Sequence, residues 1–277
     1  RELEKVATYF SVRDQYSVDR LNKAGVNNVI IVPDSALQLS DVIEIDRNAL
    51  PPFDGELATL NEGPYIAVHV NGRYAPTAMT ELAGQLDSLS RLKSARVCLV
   101  GIGPCHGDDV YAKRLGALMN TKPVIFANPD TVTSIAHVIA GSAFYVGSSL
   151  QGFITASSYG VPAFLVASHK KQSKFRGLLE QIRSTDRMVG SWGDALDLLT
   201  TTQVGNVLLN SVPDLQEARK RLDAHWSEIR TALSAVPSHS TTPSFSPMVF
   251  QVAIARNEVE SKARRVARGV LNRFGRR

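Results

Sequence analysis

The sequence predicts a doubly wound α/β fold built on a parallel sheet, and three observations predict it. Apolar strand-like stretches alternate with amphipathic helical ones along most of the chain, at spacings of about ten to fifteen residues. Stretches such as 29–32 and 143–146 are apolar at every position, as parallel strands covered on both faces are. The third is the turn Gly147-Ser148-Ser149-Leu150-Gln151-Gly152, where an apolar strand passes sharply into a helix.

The first strand–helix–strand unit is short. Residues 6–12 read as a strand that closes in Arg13-Asp14. Residues 15–23 read as a helix with Val18 and Leu21 inward, stopped by Ala24-Gly25. Residues 29–32 form a second strand, ended by Pro33-Asp34. This unit, 1–50, is expected to be the last part of an N-terminal α/β domain whose remainder lies outside the sequence. The run Pro51-Pro52-Phe53-Asp54-Gly55 and the later Asn61-Glu62-Gly63-Pro64 mark a boundary.

A second domain is expected over 62–210. Its strands fall at 65–71, 97–102, 124–126, 143–146 and 163–166, and its helices at 77–92, 108–119, 131–140, from Ser149 onward, and 175–183. Met79, Leu82, Ala83, Leu86 and Leu89 share one face of the first helix. Phe153, Ile154, Ala156 and Tyr159 follow the serine turn at helical spacing, and Gly160-Val161-Pro162 ends that helix. The segment 212–234 reads as a long helix packing back on the domains, with Leu215, Ala218, Leu222, Trp226, Ile229 and Leu233 inward. Residues 235–248 form a Ser/Thr/Pro linker. Residues 249–277 read as a basic amphipathic helix with Val252, Val259, Ala263, Val266, Val270 and Phe274 along one stripe.

Composition narrows the class. The chain has 277 residues, 44% of them hydrophobic and 21% charged, with a net charge of +5. No apolar run reaches the ~20 residues of a membrane-spanning helix. The first residue is Arg1, so the sequence is expected to begin inside a longer protein. Cys98 and Cys105 are the only cysteines, too few for a disulfide framework, which points to a reducing cytosol. Eight Lys/Arg against two Asp/Glu lie in 249–277, so the rest of the chain is near neutral.

Ligands of such sheets sit beyond the carboxyl ends of the strands. Asn71, residues 103–109, 127–129, 148–151 and 168–174 therefore become candidates. The helix beginning after Ser148 and Ser149 offers unpaired N–H groups and the positive end of its dipole to an anion. Both serines can cap it and donate hydroxyls. Arg13 carries a planar fork suited to a carboxylate or phosphate, or else forms a surface pair with Asp14. His106, in Cys105-His106-Gly107-Asp108-Asp109, has the pKa range of a general acid or base, while Asp108 and Asp109 suit a helix cap as well as a metal. Residues His169 to Lys174 read as a basic loop able to face an anion. Gly101-Ile102-Gly103 lacks the third glycine of a dinucleotide fingerprint, and neither a P-loop nor a nucleophile elbow is present.

These segments, taken in order, resemble the polysaccharide pyruvyl transferase family. The likeness lies in Ser11-Val12-Arg13-Asp14, Val32-Pro33-Asp34 and Tyr65-Ile66-Ala67-Val68-His69-Val70-Asn71. It continues in Gly103-Pro104-Cys105-His106-Gly107-Asp108-Asp109 and in Gly147-Ser148-Ser149-Leu150-Gln151-Gly152 with Ala156 and Gly160-Val161-Pro162. It spans roughly residues 5 to 190. The resemblance implies two Rossmann-like domains facing a cleft, as in GT-B glycosyltransferases. It implies transfer of a carboxyvinyl-derived group from phosphoenolpyruvate onto two sugar hydroxyls, giving a pyruvate ketal on a cell-envelope or exopolysaccharide precursor. It assigns Arg13 as an anion clamp and Ser148, Ser149, Leu150 and Gln151 as the donor site. Lys174 and Asn71 are further contacts. Phosphoenolpyruvate is the donor co-substrate, and no cofactor or metal is implied. The family usually has His where this chain has Gln151, and glutamine supplies no proton. Either the protein is catalytically altered or another acid, such as His106, acts.

Three functions follow as expectations. The first is ketal pyruvyl transfer to a glycan or lipid-linked oligosaccharide. The second is glycan or partner binding by an altered member, and the third is nucleotide-sugar glycosyl transfer on a GT-B fold. The expected location is cytoplasmic, with residues 249–277 resting on an anionic membrane surface or packing as a solvated tail helix. Nucleic-acid binding finds no motif beyond the charge.

Overall fold

A computed structural model describes residues 7, 9–47, 52–72, 78–103, 107–167, 169–201 and 212–234, with backbone alone at 169–174 and 212–213. The chain forms two compact units, 1–230 and 231–277, and only 231–234 of the second are described. The linker and basic helix expected over 235–277 lie outside the described residues.

In the first unit, β1 (Ser11–Val12) and β2 (Ile30–Ile31) pair in parallel around α1 (Gln15–Lys23). Asp14 caps α1, its carboxylate accepting from Ser17 N at 2.7 Å. A 3₁₀ turn (Ser35–Gln38) leads into the short α2 (Leu39–Val42), and a second 3₁₀ stretch spans Gly55–Glu62. The main alternation follows. It comprises β3 (Tyr65–His69), α3 (Met79–Lys93), β4 (Arg96–Val100), α4 (Asp108–Leu118), β5 (Val124–Phe126) and α5 (Val132–Ala140). It continues with β6 (Phe144–Gly147), α6 (Leu150–Ser158), β7 (Ala163–Val166), α7 (His169–Gln181), β8 (Met188–Val189), α8 (Trp192–Thr201) and α9 (Val212–Ser234).

Strands β3 to β8 form one sheet in the order β5-β4-β3-β6-β7-β8, parallel throughout. The doubly wound fold expected from the alternation is thus observed. The strands are apolar because helices cover both faces. One face is filled by Tyr65, Ala67, Tyr145, Phe153, Ile154, Leu178 and Leu222. The other is filled by Ile66, Val68, Leu82, Leu86, Leu115, Phe164 and Leu196. The chain leaves β3 toward one edge and resumes at β6 on its other side, so the order reverses between these two neighbours. In doubly wound sheets the ligand crevice lies at such a reversal, beyond the carboxyl ends of the strands.

Residues 37–47 are tied to the helices and loops around this sheet. Arg47 donates to the carbonyls of Ala140 at 2.8 Å, Gly160 at 3.2 Å and Ser142 at 3.3 Å. Tyr159 donates to Ile43 O at 2.7 Å. From α9, Arg219 donates to Leu37 O at 3.2 Å and Ser158 O at 2.9 Å, and to the Ser40 hydroxyl.

Several expectations need correction. Regular strand pairing in β1 covers two residues, although the hydrogen bond from Ile30 N to Phe10 O extends the ladder by one step. Ile30 is 49% exposed, so β2 is apolar without being covered on both faces. The expected basic loop 169–174 is the opening of α7 instead. That stretch contains neither Gly nor Pro, and Lys and Gln are good helix formers. Among the described side chains of α9, Ala218 and Leu222 are buried and Leu215 packs against the core, whereas Trp226 is 38% and Leu233 68% exposed. Strand β8 and helix α8 stand where no element was expected.

Candidate functional site

The serine turn sits at the strand reversal. Register pairs His69 of β3 with Gly147 of β6, and Ser148 N donates to His69 O at 3.0 Å. Beyond the strand ends, Asn71 N donates to the Ser148 hydroxyl oxygen at 2.8 Å. Asn71 and the 148–151 turn, chosen separately from the sequence, are therefore joined directly.

The turn is shaped from beneath by Tyr145, which is fully buried. Its hydroxyl donates to Ser149 O at 3.4 Å. Burial pushes its pKa up, and the nearby Asp108 carboxylate pushes the same way against the Ser149 bond. The tyrosine explains both glycines of the turn. A Cβ on Gly147 would lie 2.4 Å from the Tyr145 hydroxyl, and one on Gly152 2.2 Å from it. Any side chain at either place would lift the turn.

Ser149 is the N-cap of α6, its hydroxyl accepting from Gly152 N at 3.3 Å. The amides of Ser149, Leu150 and Gln151 are left without a partner among the described residues, as the first amides of a helix are. They face the end of a nine-residue helix whose dipole favours negative charge. Leu150 is buried, Ser148 and Ser149 are half-buried, and Gln151 is exposed. The rim thus presents amides, hydroxyls and one carboxamide, all neutral.

A second group lies at the same edge and was not foreseen. His69 Nε2 meets Asp108 Oδ2 at 2.9 Å, with 1% and 4% of the two side chains exposed. Asp108 Oδ1 also accepts from Gly72 N at 3.4 Å. The expectation that Asp108 merely caps its helix is corrected: Gly107, at φ 72°, is the cap residue, and Asp108 turns inward to His69. The imidazole's other nitrogen, Nδ1, is buried with no hydrogen-bond partner among the described residues. Leaving such a group unpaired costs about 1–3 kcal/mol. The pair ties the end of β3 to the start of α4. One signal was available: a histidine in an otherwise wholly apolar strand demands a polar partner.

The remaining candidates are placed as follows. Arg13 does not pair chiefly with Asp14; its Nη1 donates to Asp34 Oδ2 at 2.8 Å. It lines a cleft with Asp34, Ser35, His225 and Trp226, and no residue of the 148–151 turn lines that cleft. His106 and Cys105 lie outside the described residues. Lys174 is in the first turns of α7, after β7, and its side chain lies outside them too. Among the described residues no group of His, Cys, Asp and Glu could hold a metal ion. No helix among them is long and apolar enough to cross a membrane. Cys98 is a buried free thiol whose pKa burial pushes up to about 12, so it is inert.

The fold recurs in several solved structures. S. aureus MnaA, solved with UDP, superposes with a TM-score of 0.57 at 12% identity, over 86% of this chain and 64% of that one. A putative UDP-N-acetylglucosamine 2-epimerase from Listeria monocytogenes gives 0.56 at 12% identity, over 82% and 61%. An α,α-trehalose 6-phosphate synthase from Burkholderia multivorans gives 0.50 at 11%, over 84% and 61%. The chain therefore spans just under two thirds of the length of each, and at these identities the likeness is one of GT-B-like fold alone. No curated protein matches the sequence. The family model described as polysaccharide pyruvyl transferase matches residues 1–170, the stretch that carries β1 to β7, the serine turn and the His69–Asp108 pair; the chain belongs to the polysaccharide pyruvyl transferase family.

Proposed function

We propose that the protein transfers a pyruvate ketal from phosphoenolpyruvate to a sugar of a cell-envelope or exopolysaccharide glycan. One observation carries the reading. Three amides at the start of α6, without a partner among the described residues and flanked by the Ser148 and Ser149 hydroxyls, lie at the carboxyl end of the sheet where the strand order reverses. Phosphoenolpyruvate is a small ester bearing a phosphate and a carboxylate, with no base or ribose to recognise. Amides and hydroxyls at a helix start suit it; a nucleotide would call for further recognition groups.

The reaction adds a proton to the C3 methylene, making C2 electrophilic. A first sugar hydroxyl bonds to C2 and gives up its proton, the C2–O bond to phosphate breaks, and phosphate leaves with that bond's electron pair. A second hydroxyl of the same sugar closes the ketal and gives up its proton. In this reading the α6 amides hold the anion. Ser148, fixed by Asn71, orients it, and Gln151 donates a hydrogen bond from the exposed rim. The His69–Asp108 pair, being buried, holds the end of β3 to the start of α4. The test is phosphate release from phosphoenolpyruvate by the complete protein with candidate glycans; no release above background ends this reading.

A second reading is favoured by a specific feature. Among the described residues the turn presents no titratable side chain, since Gln151 stands at its exposed position. A member so altered would bind a glycan or partner without turnover. Stabilisation by phosphoenolpyruvate without phosphate release distinguishes it. Stabilisation by nucleotide sugars but not phosphoenolpyruvate points to glycosyl transfer instead.

A further inference from the structure

The cleft around Arg13 lies apart from the serine turn and has its own character. It encloses about 270 Å³, close to the lower end of small-ligand pockets, and so suits one or two sugar rings. Its floor is the carboxyl end of the β1–β2 sheet, where Arg13 and Asp34 follow the strands. Its wall is α9, which contributes His225 and Trp226.

The wall is built, not incidental. The Trp226 indole N–H donates to Gln38 Oε1 at 2.8 Å. Gln38 in turn donates to Asp223 Oδ1 at 2.7 Å. His225 packs against Trp226 with ring centroids 4.9 Å apart and the ring planes tilted by 50°, and its Nδ1 is 2.8 Å from the Tyr9 hydroxyl. Trp226 is 38% exposed, and with its only side-chain donor engaged the rest of its indole is carbon. An aromatic face, electron-rich at its centre, attracts the weakly positive C–H face of a pyranose.

The floor decides the ligand's charge. Arg13 is bonded to Asp34, so the pair carries no net charge. An anion would find the guanidinium already answered, and the Asp34 carboxylate would oppose it. A neutral polyol finds donors on Arg13, acceptors on Asp34 and an exposed hydroxyl on Ser35. We infer that this cleft binds a neutral sugar unit of the acceptor glycan, stacked on Trp226 and hydrogen-bonded to Arg13 and Asp34. The inference rests on the glycan-acceptor reading above. Because no residue of the serine turn lines the cleft, the unit held here is not the one that reacts, and the acceptor is an oligosaccharide.

The experiment titrates the complete protein by calorimetry with cellotetraose, mannotetraose, galactotetraose and chitotetraose. The expected result is binding of at least one, weakened about tenfold or more in Trp226→Ala and kept within about threefold in Trp226→Phe, which preserves the ring. Phosphoenolpyruvate binding should be the same in all three proteins. A second readout is emission: Trp192 is buried, so a sugar-induced shift must come from Trp226 and vanish in Trp226→Phe. Binding by none of the four sugars, or equal binding by Trp226→Ala, overturns the inference. Sugar binding that survives in a protein releasing no phosphate keeps this cleft's assignment and ends only the pyruvyl transfer reading.

Discussion

Replacing Gln151 by histidine tests the donor site most directly. Gln151 is the second residue of α6, is exposed, and lies beside the unpaired amides. An imidazole there meets no core atoms, so stability should change by less than about 0.5 kcal/mol. The helix start disfavours a cation by about 0.3–1 kcal/mol. That lowers the imidazole from its ordinary pKa of about 6.5 by less than ~1 unit, to about 6. Roughly half is then protonated at pH 6 and about a tenth at pH 7. A general acid contributes about 10²–10⁴ in rate, so phosphate release by Gln151→His at pH 6 should exceed that of the unaltered protein by this order. The gain should fall as pH rises from 6 to 8, because the acid form is being lost. The assay is phosphate release from phosphoenolpyruvate with an oligosaccharide acceptor, alongside thermal melts with and without phosphoenolpyruvate. A rate within threefold of the unaltered protein at every pH, with phosphoenolpyruvate raising Tm in both, refutes the reasoning that an acid at position 151 would reach the reacting carbon.

Other perturbations probe the scaffold. Asp87, 1% exposed, accepts from Asn120 N at 2.8 Å, Thr121 N at 3.0 Å, Thr121 Oγ1 at 2.6 Å and Asn120 Nδ2 at 3.2 Å. Burial pushes its pKa up, but these four bonds outweigh it and hold the carboxyl below its ordinary value. Its stabilisation is therefore present above about pH 4 and is lost as pH falls through the lowered value. Asp87→Asn turns one acceptor into a donor facing an N–H and should cost about 2–4 kcal/mol at pH 7 by urea denaturation, the gap closing toward pH 3. Gly101→Ala would place its Cβ 2.1 Å from Ala127 O, a clash with backbone that no rotamer relieves. It should cost about 1–3 kcal/mol and lower Tm by about 2–4 °C for each kcal/mol. Arg219→Met removes the bonds that join α9 to Leu37, Ser40 and Ser158 while keeping a stem of similar length. It should cost about 2 kcal/mol; an unchanged urea midpoint would show that those bonds are replaced by water.

Much of the scaffold was legible because single residues carry its signals. Helices read over 15–23 and 131–140 are found at Gln15–Lys23 and Val132–Ala140, and Asp14 and Thr131, of residue types that favour helix starts, cap them. Tyr65 to His69 and Ala163 to Val166 were recognised as buried strands from apolar runs alone. Helix α8 was missed although Trp192, Ala195, Leu196 and Leu199 are buried at helical spacing and Ser191 accepts from Asp194 N. Its Gly193 and two Asp residues mask the period. Within the candidate site, the serine turn announces itself locally, because Ser149 caps a helix only two residues past a buried strand. The His69–Asp108 pair does not, because its members lie 39 residues apart and meet only through the parallel register. Arg13 shows the opposite error. Its guanidinium suggested an anion, and nothing local reveals that Asp34, 21 residues on, neutralises it.

The proposed reaction would join an anionic donor to a neutral acceptor, and the serine turn and the Arg13 cleft differ in how they treat charge. At the strand reversal the positive potential comes from backbone amides, which have no counter-ion to be displaced and keep their orientation when no ligand is present. A phosphate entering there exchanges water for fixed dipoles and breaks no ion pair. At the Arg13 cleft an anion would have to compete with Asp34 for the guanidinium across 2.8 Å, where the existing pair is short and Asp34 is only 12% exposed. A sugar hydroxyl needs no such exchange, since it can accept from Arg13 and donate to Asp34 while their bond stays closed. An arginine placed after a parallel strand is thus no guide to an anion site until its own carboxylate is found. By that reasoning Arg13→Met should weaken oligosaccharide binding and leave the Tm rise produced by phosphoenolpyruvate intact. Loss of the phosphoenolpyruvate effect instead would return Arg13 to the donor site and show that the ion pair opens when substrate arrives.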